Sequence, residues 1–290
     1  MKQIKLNKKK AIIITACILL LCIFAGFAFR EDLKTVNYTV DSEKLNGSIR
    51  LAVISDLHSS KFGEGQRTLI KAIDTADPDV ILLTGDIFEE DRDHENVKDL
   101  FEHIGKKYTC FFVTGNHEYR FSASELYKIR SLVRTYGIVT LDGDSSVLTV
   151  NGEKIRIAGV NDLSGDSYVE LDHNGDVIER ELFDKSLSRL SETAKDGIFT
   201  VLMSHRPDHF EKYTSLGFDL TVSGHAHGGQ IVIPGILNGL YSPDQGFFPD
   251  YAGGRYEKDG KVMIVSRGLC KMMLRPRMFN RPELVIIDLQ

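Results

Sequence analysis

Residues 50–58 read Arg50-Leu51-Ala52-Val53-Ile54-Ser55-Asp56-Leu57-His58, an apolar run of strand length that stops on a carboxylate and an imidazole two residues apart. Alternate side chains of an extended chain face the same way, so this spacing predicts that Asp56 and His58 point at one place from the end of the strand. Such apolar runs of strand length, alternating with segments of helical period, are the sign of an α/β sheet packed by helices. The same device recurs downstream. Asp79 to Thr84 leads into Gly85-Asp86, Thr109 to Thr114 into Gly115-Asn116-His117-Glu118, Phe199 to Ser204 into His205, and Asp219 to Ser223 into Gly224-His225-Ala226-His227.

Between these runs the spacing predicts helices. Leu69 to Ala76 is closed off by Asp77-Pro78, and Asn96 to Ile104 has helical period. Ser122 and Glu125 stand at capping-box distance, ahead of Leu126, Ile129, Leu132 and Val133 on one face and Gly137 as the stop. A fourth helix covers Lys185 to Ala194. Short strands are expected at Val139 to Leu141, Val147 to Val150 and Lys154 to Gly159, the last two joined by an Asn151-Gly152 hairpin turn. Gly228 to Arg255, rich in Gly, Pro and aromatics, reads as loops and short strands, and Val262 to Ser266 and Leu284 to Leu289 close the domain. Strands alternating with helices define an α/β class, and the polar motifs all fall at the carboxyl ends of strands, where open sheets place their ligand sites.

At the other end of the chain, Ala11 to Phe29 is uncharged and of the length that crosses a hydrocarbon core as a helix. Lys2, Lys5, Lys8, Lys9 and Lys10 precede it, so the positive-inside bias puts residues 1–10 in the cytoplasm as a basic tail, 11–29 in the membrane as a single-pass anchor, and the rest outside the cytoplasm. A cleavable signal peptide, cut near Gly26-Phe27-Ala28, is the competing reading. Residues 30–45 read as a linker and 46–290 as one domain. The chain carries 36 basic and 41 acidic residues; setting the five leading lysines aside leaves 31 against 41, about −10, which argues against non-specific nucleic-acid binding. Cys110 and Cys270 read as buried free thiols in preference to a disulfide. His94, His103, His173 and His209 lie outside the motifs and read as surface histidines.

The five motifs, in this order, resemble the calcineurin-like metallophosphoesterase family, over roughly Arg50 to Leu289. The resemblance implies a four-layer αββα sandwich of two mixed sheets. It implies two divalent metal ions, Mn favoured over Fe or Zn, with Asp56, His58 and His227 on the first, Asn116, His205 and His225 on the second, and Asp86 bridging. His117 is left as the catalytic proton donor to the leaving oxygen while a metal-bridging hydroxide attacks phosphorus. Arg206, next to His205, is a weaker candidate for holding a substrate phosphate, and Asn161-Asp162 for supporting the site from behind.

The anchor, Gly228-Gly229-Gln230, Pro234-Gly235 and Ser266-Arg267-Gly268-Leu269 are similar to the membrane-associated bacterial phosphodiesterase branch of that family. That likeness implies a phosphodiester or pyrophosphate substrate at the membrane or envelope, lipid-linked esters among them, with Leu237, Leu240, Tyr241, Phe247 and Phe248 meeting acyl chains or packing under their own loop. A phosphomonoesterase or protein phosphatase with the same metals, and a non-catalytic metal-binding ectodomain, remain open alternatives.

Overall fold

The computed structural model describes residues 8–169, 172, 174–177, 181–271 and 277–290. Along the chain come α1 (Lys8–Ala28), β1 (Lys34–Val40), β2 (Ile49–Ile54), α2 (Arg67–Ala76), β3 (Val80–Thr84), α3 (Glu95–Lys107), β4 (Thr109–Val113), α4 (Ala123–Thr135) and β5 (Val139–Thr140). They are followed by β6 (Ser145–Val150), β7 (Glu153–Gly159), α5 (Phe183–Thr193), β8 (Phe199–Met203), α6 (Phe210–Ser215) and β9 (Leu220–Ser223). The last third holds β10 (Tyr241–Ser242), β11 (Gly246–Phe247), β12 (Gly254–Lys258), β13 (Lys261–Val265) and β14 (Glu283–Leu289). One six-stranded sheet has the order β1-β14-β2-β3-β4-β5, the other β12-β13-β9-β8-β7-β6. Both are mixed: β14 runs antiparallel to β2, β12 to β13 and β6 to β7, while the remaining pairs are parallel.

The apolar runs are buried on both faces because each sheet is packed twice. Leu51 and Val53 of β2, Leu82 of β3 and Phe111 of β4 meet Ile157, Val201, Val222 and Ile264 of the other sheet in one core. Their neighbours in sequence, Ala52, Ile54, Leu83 and Phe112, face the opposite way, onto Leu69 and Ile73 of α2, Leu100 and Ile104 of α3 and Val133 of α4. Ala158 and Leu202 of the second sheet do the same against Leu187 and Leu190 of α5. The result is the four-layer αββα sandwich. Each Val, Leu, Ile or Phe among these taken wholly out of water contributes about 1.5–3 kcal/mol, so the two-sided strands carry a large share of the hydrophobic stabilisation.

Local signals act where expected. Ser122 and Glu125 form the capping box that starts α4, with the Glu125 carboxylate accepting from the Ser122 N–H at 3.1 Å. Asn151 and Gly152 both have positive φ, 51° and 86°, the backbone of a tight hairpin turn between β6 and β7. Residues 30–45, expected as a linker, instead contain β1, which adds an edge strand parallel to β14 in the register Lys34↔Glu283 to Val40↔Leu289. Val36, Tyr38 and Val40 alternate with Thr35, Asn37 and Thr39, a half-covered edge pattern unlike the unbroken central strands, and the partner lies at the far end of the sequence.

Helix α1 is long and apolar enough to cross a membrane, by length and composition. Most of its described side chains are exposed, and its carboxyl end meets the domain. There the Phe279 N–H donates to the Ala28 carbonyl at 2.6 Å and the Phe24 and Phe279 rings meet edge to face at 5.6 Å.

Candidate metal centre

The carboxyl ends of β2, β3, β4, β8 and β9 converge on one side of the two sheets. Glycines let them come this close. A Cβ on Gly115 would stand 2.2 Å from Asp86 Oδ1, and one on Gly224 1.9 Å from Ser55 Oγ. Asp56, His58, Asp86 and His227 form one group whose candidate ligand atoms all lie within 4.8 Å of each other; Asp86, His205 and His225 form a second. Asp86 is common to both. Its Oδ2 lies 3.2 Å from His205 Nε2, 3.6 Å from His58 Nε2 and 4.0 Å from His117 Nε2. Burial disfavours a charge on Asp86, but the imidazoles of His205, His58 and His117 outweigh it and hold the carboxyl well below the usual carboxylate range. His205 is the converse: burial works against its cation, and the Asp86 carboxylate prevails, pushing the imidazole up to about 10. Burial holds His227 well below its ordinary value, as a neutral imidazole.

The expected geometry of these motifs differs in one respect. Asp56 and His58 do not continue the strand: their φ angles are 50° and 45°, and Asp86, His225 and His227 are left-handed too, at 52°, 64° and 48°. Left-handed backbone costs an ordinary residue about 1–2 kcal/mol, and such strain persists only where surroundings over-determine it. Here they do. The Asp56 carboxylate accepts from Ser55 Oγ at 2.6 Å and from the His225 N–H at 3.0 Å, joining the two sheets, and the His117 N–H donates to Asp86 Oδ1 at 2.8 Å. Glu118, fully buried, accepts from the N–H groups of Asp86, Ile87, Phe88 and Gly115 at 2.7–3.1 Å and clamps the two loops together.

The hydrogen bonds also select ring tautomers. His205 Nδ1 donates to the Thr84 carbonyl at 2.8 Å, leaving Nε2 to face Asp86. Glu89, buried, takes His58 Nδ1 on one oxygen at 2.5 Å and His117 Nδ1 on the other at 3.0 Å, so both rings turn Nε2 inward. Three buried polar atoms in this cluster have no hydrogen-bond partner: His58 Nε2, His205 Nε2 and Asn116 Oδ1. Buried polar atoms without a partner are rare, and a shared carboxylate ringed by imidazole nitrogens and an amide oxygen is a donor set for divalent cations, whose binding would displace any proton held on His205 Nε2.

The family model for calcineurin-like phosphoesterases matches residues 49–229, from the start of β2 through the His225-His227 motif. The chain belongs to this family. It is 28% identical over 276 residues to the uncharacterised metallophosphoesterase YkuE of Bacillus subtilis, covering 92% of this chain and 89% of that one. It is 31% identical over 206 residues to the uncharacterised protein YpbG of the same organism, covering 69% and 70%. A transmembrane protein with metallophosphoesterase domain from Bos taurus is 24% identical, covering 84% of this chain and 53% of that protein. Among solved structures, a putative 5'-nucleotidase from Staphylococcus aureus superposes with TM-score 0.51 at 12% identity over 82% of this chain; the chain spans 54% of that nucleotidase, and the likeness is one of fold. The protein is a metallophosphoesterase, a phosphoester hydrolase of a family that uses a dinuclear divalent metal centre.

Over this phosphoesterase's metal-ligating cluster opens a cleft of about 580 Å³. Its floor is Asp86, Asn116, His117, His225 and His227, and its wall is Ile231, Leu240, Tyr241 and Pro243. Arg120 stands at the rim, exposed, lining both this cleft and a neighbouring one of about 430 Å³. Arg120, four residues beyond Asn116, and Glu89, three beyond Asp86, both fall outside the five sequence motifs. Arg206 proves to be buried and already engaged. Asp162 takes its Nε at 2.7 Å and Nη2 at 3.0 Å, Ser164 adds a contact at 3.2 Å, and Asp244 pairs with Nη1. These acceptors occupy the fork that a phosphate would need. Asp244 in turn accepts from His225 Nε2 at 2.7 Å, so Arg206 braces the centre. Asn161 Oδ1 accepts from Thr114 Oγ1 at 2.8 Å and steadies the end of β4.

Cys110 and Cys270 are free and buried, and Cys270 Sγ lies within 4.8 Å of the ring atoms of His58 and His227. His94, His103 and His209 are half-buried rather than at the surface, packed into contacts such as His103 with Asp74 at 3.0 Å. His173 and residues 1–7 of the basic tail lie outside the described residues.

Proposed function

We propose that this metallophosphoesterase is a phosphodiesterase of the membrane or cell envelope, cutting lipid-like diester or pyrophosphate substrates. The observation that carries the reading is the meeting of two surfaces in one cleft: a floor of paired ligand groups sharing Asp86, and an apolar wall of Ile231, Leu240, Tyr241 and Pro243. A phosphoryl group alone needs no such wall; an apolar substituent esterified to it does, and the diester reading comes from the likeness of the motifs to the phosphodiesterase branch.

In this reading Asp56, His58 and His227 hold one cation, Asn116, His205 and His225 the other, and Asp86 both. Asn116 Oδ1, His58 Nε2 and His205 Nε2 supply the donors that otherwise lack partners. The cations, Mn, Fe or Zn by the mixed oxygen and nitrogen set, would supply charge neutralisation and a lowered water pKa when bound. His117, held by Glu89 through Nδ1, presents Nε2 to the cleft and gives a proton to the departing oxygen. Arg120 takes a phosphoryl oxygen at the rim. Helix α1 anchors the protein with the lysine-rich end in the cytoplasm and the catalytic domain outside it.

The test is the Mn²⁺-loaded full chain assayed on chromogenic diester and monoester substrates, with bound metal measured alongside. The diester should turn over faster. Asp86→Asn should lose metal and activity together, and His117→Ala should keep both metals while the rate falls roughly 10²–10⁴-fold. A His117→Ala protein lacking one cation contradicts the assigned roles, and a preference for the monoester contradicts the diester reading.

A further inference from the structure

Five large apolar side chains that the hydrolytic chemistry does not use stand exposed beside the cleft. Ile236 is 83% exposed, Phe247 69% and Phe248 67%, with Tyr241 and Ile233 less so. Tyr241, Phe247 and Phe248 form a chain of rings at 5.3 and 6.4 Å, carried on the β10/β11 hairpin. Ile236 sits on a second tight turn, closed by Ile233 and Leu237 pairing. From Ile231 to Phe248 the only charged residue is Asp244, and its carboxylate is taken by His225 and Arg206. Phe248 is also left-handed, at φ 58°. An aromatic residue kept both exposed and backbone-strained is doubly unfavourable in water, and such outliers gather where a surface has a use.

The same segment is stitched to the end of α1. Ile231 pairs with Met278, the Val232 N–H donates to the Met278 carbonyl at 2.9 Å, and the Met278 N–H donates to the Gln230 carbonyl at 3.1 Å. The next residue, Phe279, is the one bonded to the Ala28 carbonyl and packed on Phe24. One backbone bridge therefore separates the apolar helix from the apolar hairpins.

We propose that Ile233, Ile236, Tyr241, Phe247 and Phe248 form a docking surface for a lipid bilayer, continuous with the anchor and rimming the cleft. A helix that enters a membrane at Ala28 brings these side chains to the interface, where Tyr and Phe partition with their rings among headgroups and upper acyl chains. Tyr241 belongs both to this surface and to the cleft wall, where Leu240 stands beside it. An amphiphile can then keep its tail in the bilayer while its phosphoryl group reaches the floor. This rests on the proposed function for what the cleft cuts, but lipid contact itself can be read without turnover.

The chain contains no tryptophan, so Phe248→Trp introduces a single indole that can be excited selectively over the tyrosines. The full chain is reconstituted in phosphatidylcholine/phosphatidylglycerol vesicles with and without brominated acyl chains, beside a Val147→Trp control on exposed β6. Docking to within roughly 5–10 Å of the acyl boundary predicts about a twofold loss of Phe248→Trp emission in brominated vesicles and no change for Val147→Trp. Equal emission in both vesicles, or a blue shift without bromine quenching, which marks a protein partner, overturns the proposal; so does equal quenching of the control. A Phe247→Ser/Phe248→Ser variant should hydrolyse a water-soluble diester at the parent rate and a vesicle-borne phosphoester roughly tenfold more slowly. Quenching without hydrolysis of any phosphoester leaves docking standing and removes the hydrolase reading, while hydrolysis without quenching does the reverse.

Discussion

The floor of the cleft and its wall are built on opposite terms. The floor is polar, buried and over-determined: Glu118 gathers four amides, Glu89 two imidazoles, and Asp56 ties one sheet to the other. The wall is apolar and, apart from Tyr241, half-buried, and the hairpins behind it carry exposed apolar side chains; they cross to the floor through Asp244 and His225. Left-handed backbone occurs in both, at Asp86 and at Phe248, but only in the floor is it held by a dense set of hydrogen bonds. In the function proposed above, chemistry that needs fixed geometry falls to the strand ends, and selection of the substrate's non-reacting part to the loops.

If that division is right, substitutions should sort by region. Gly115→Ala should be the most damaging, since its methyl would lie 2.2 Å from Asp86 Oδ1 and displace the shared carboxylate by an ångström or more. Metal content should drop, and activity should fall at least a hundredfold, about what a 1 Å misplacement costs. Glu89→Gln comes next. One amide cannot accept from both Nδ1 atoms, so either His58 or His117 loses its tautomer, and kcat or metal affinity should fall roughly 10–100-fold with the fold intact by circular dichroism. Arg120→Ala, at the boundary, should raise KM roughly tenfold, the worth of one charge-assisted hydrogen bond, with metal content unchanged. Phe248→Gly should have the smallest effect and the opposite sign: relief of left-handed strain at an exposed site should stabilise the protein by about 0.5–1 kcal/mol, less what the more flexible unfolded chain takes back, as read by denaturant unfolding. A destabilised Phe248→Gly would mean the ring is packed, which would blur the contrast.

Much of this was legible in the primary structure because the central strands are covered on both faces and end on their polar motifs. Unbroken runs such as Val-Ile-Leu-Leu-Thr before Gly85-Asp86 carry fold and location together. Strand β1 escaped because an edge strand alternates weakly with Thr and Asn, and its pairing with β14 spans the whole domain. Glu89 escaped because it opens the run Glu89-Glu90-Asp91-Arg92-Asp93, which looks like a solvated loop; only the fold turns its first carboxylate inward. The occupied state of Arg206 was invisible for a similar reason, since Asp162 and Asp244 lie 44 and 38 residues away. The left-handed turns at Asp56 and His58 carry no glycine to announce them.

The pairing of β1 with β14 has a mechanical consequence. Only five residues separate Ala28 from Lys34, a tether of at most roughly 22 Å when fully stretched. Any pull transmitted from α1 arrives at a parallel pair of seven residues loaded in shear, where all the cross-links resist at once rather than unzipping in turn. Instead of trailing on a slack leash, the catalytic head is harnessed to its own C-terminus, and its swing and its distance from whatever holds the helix are both short.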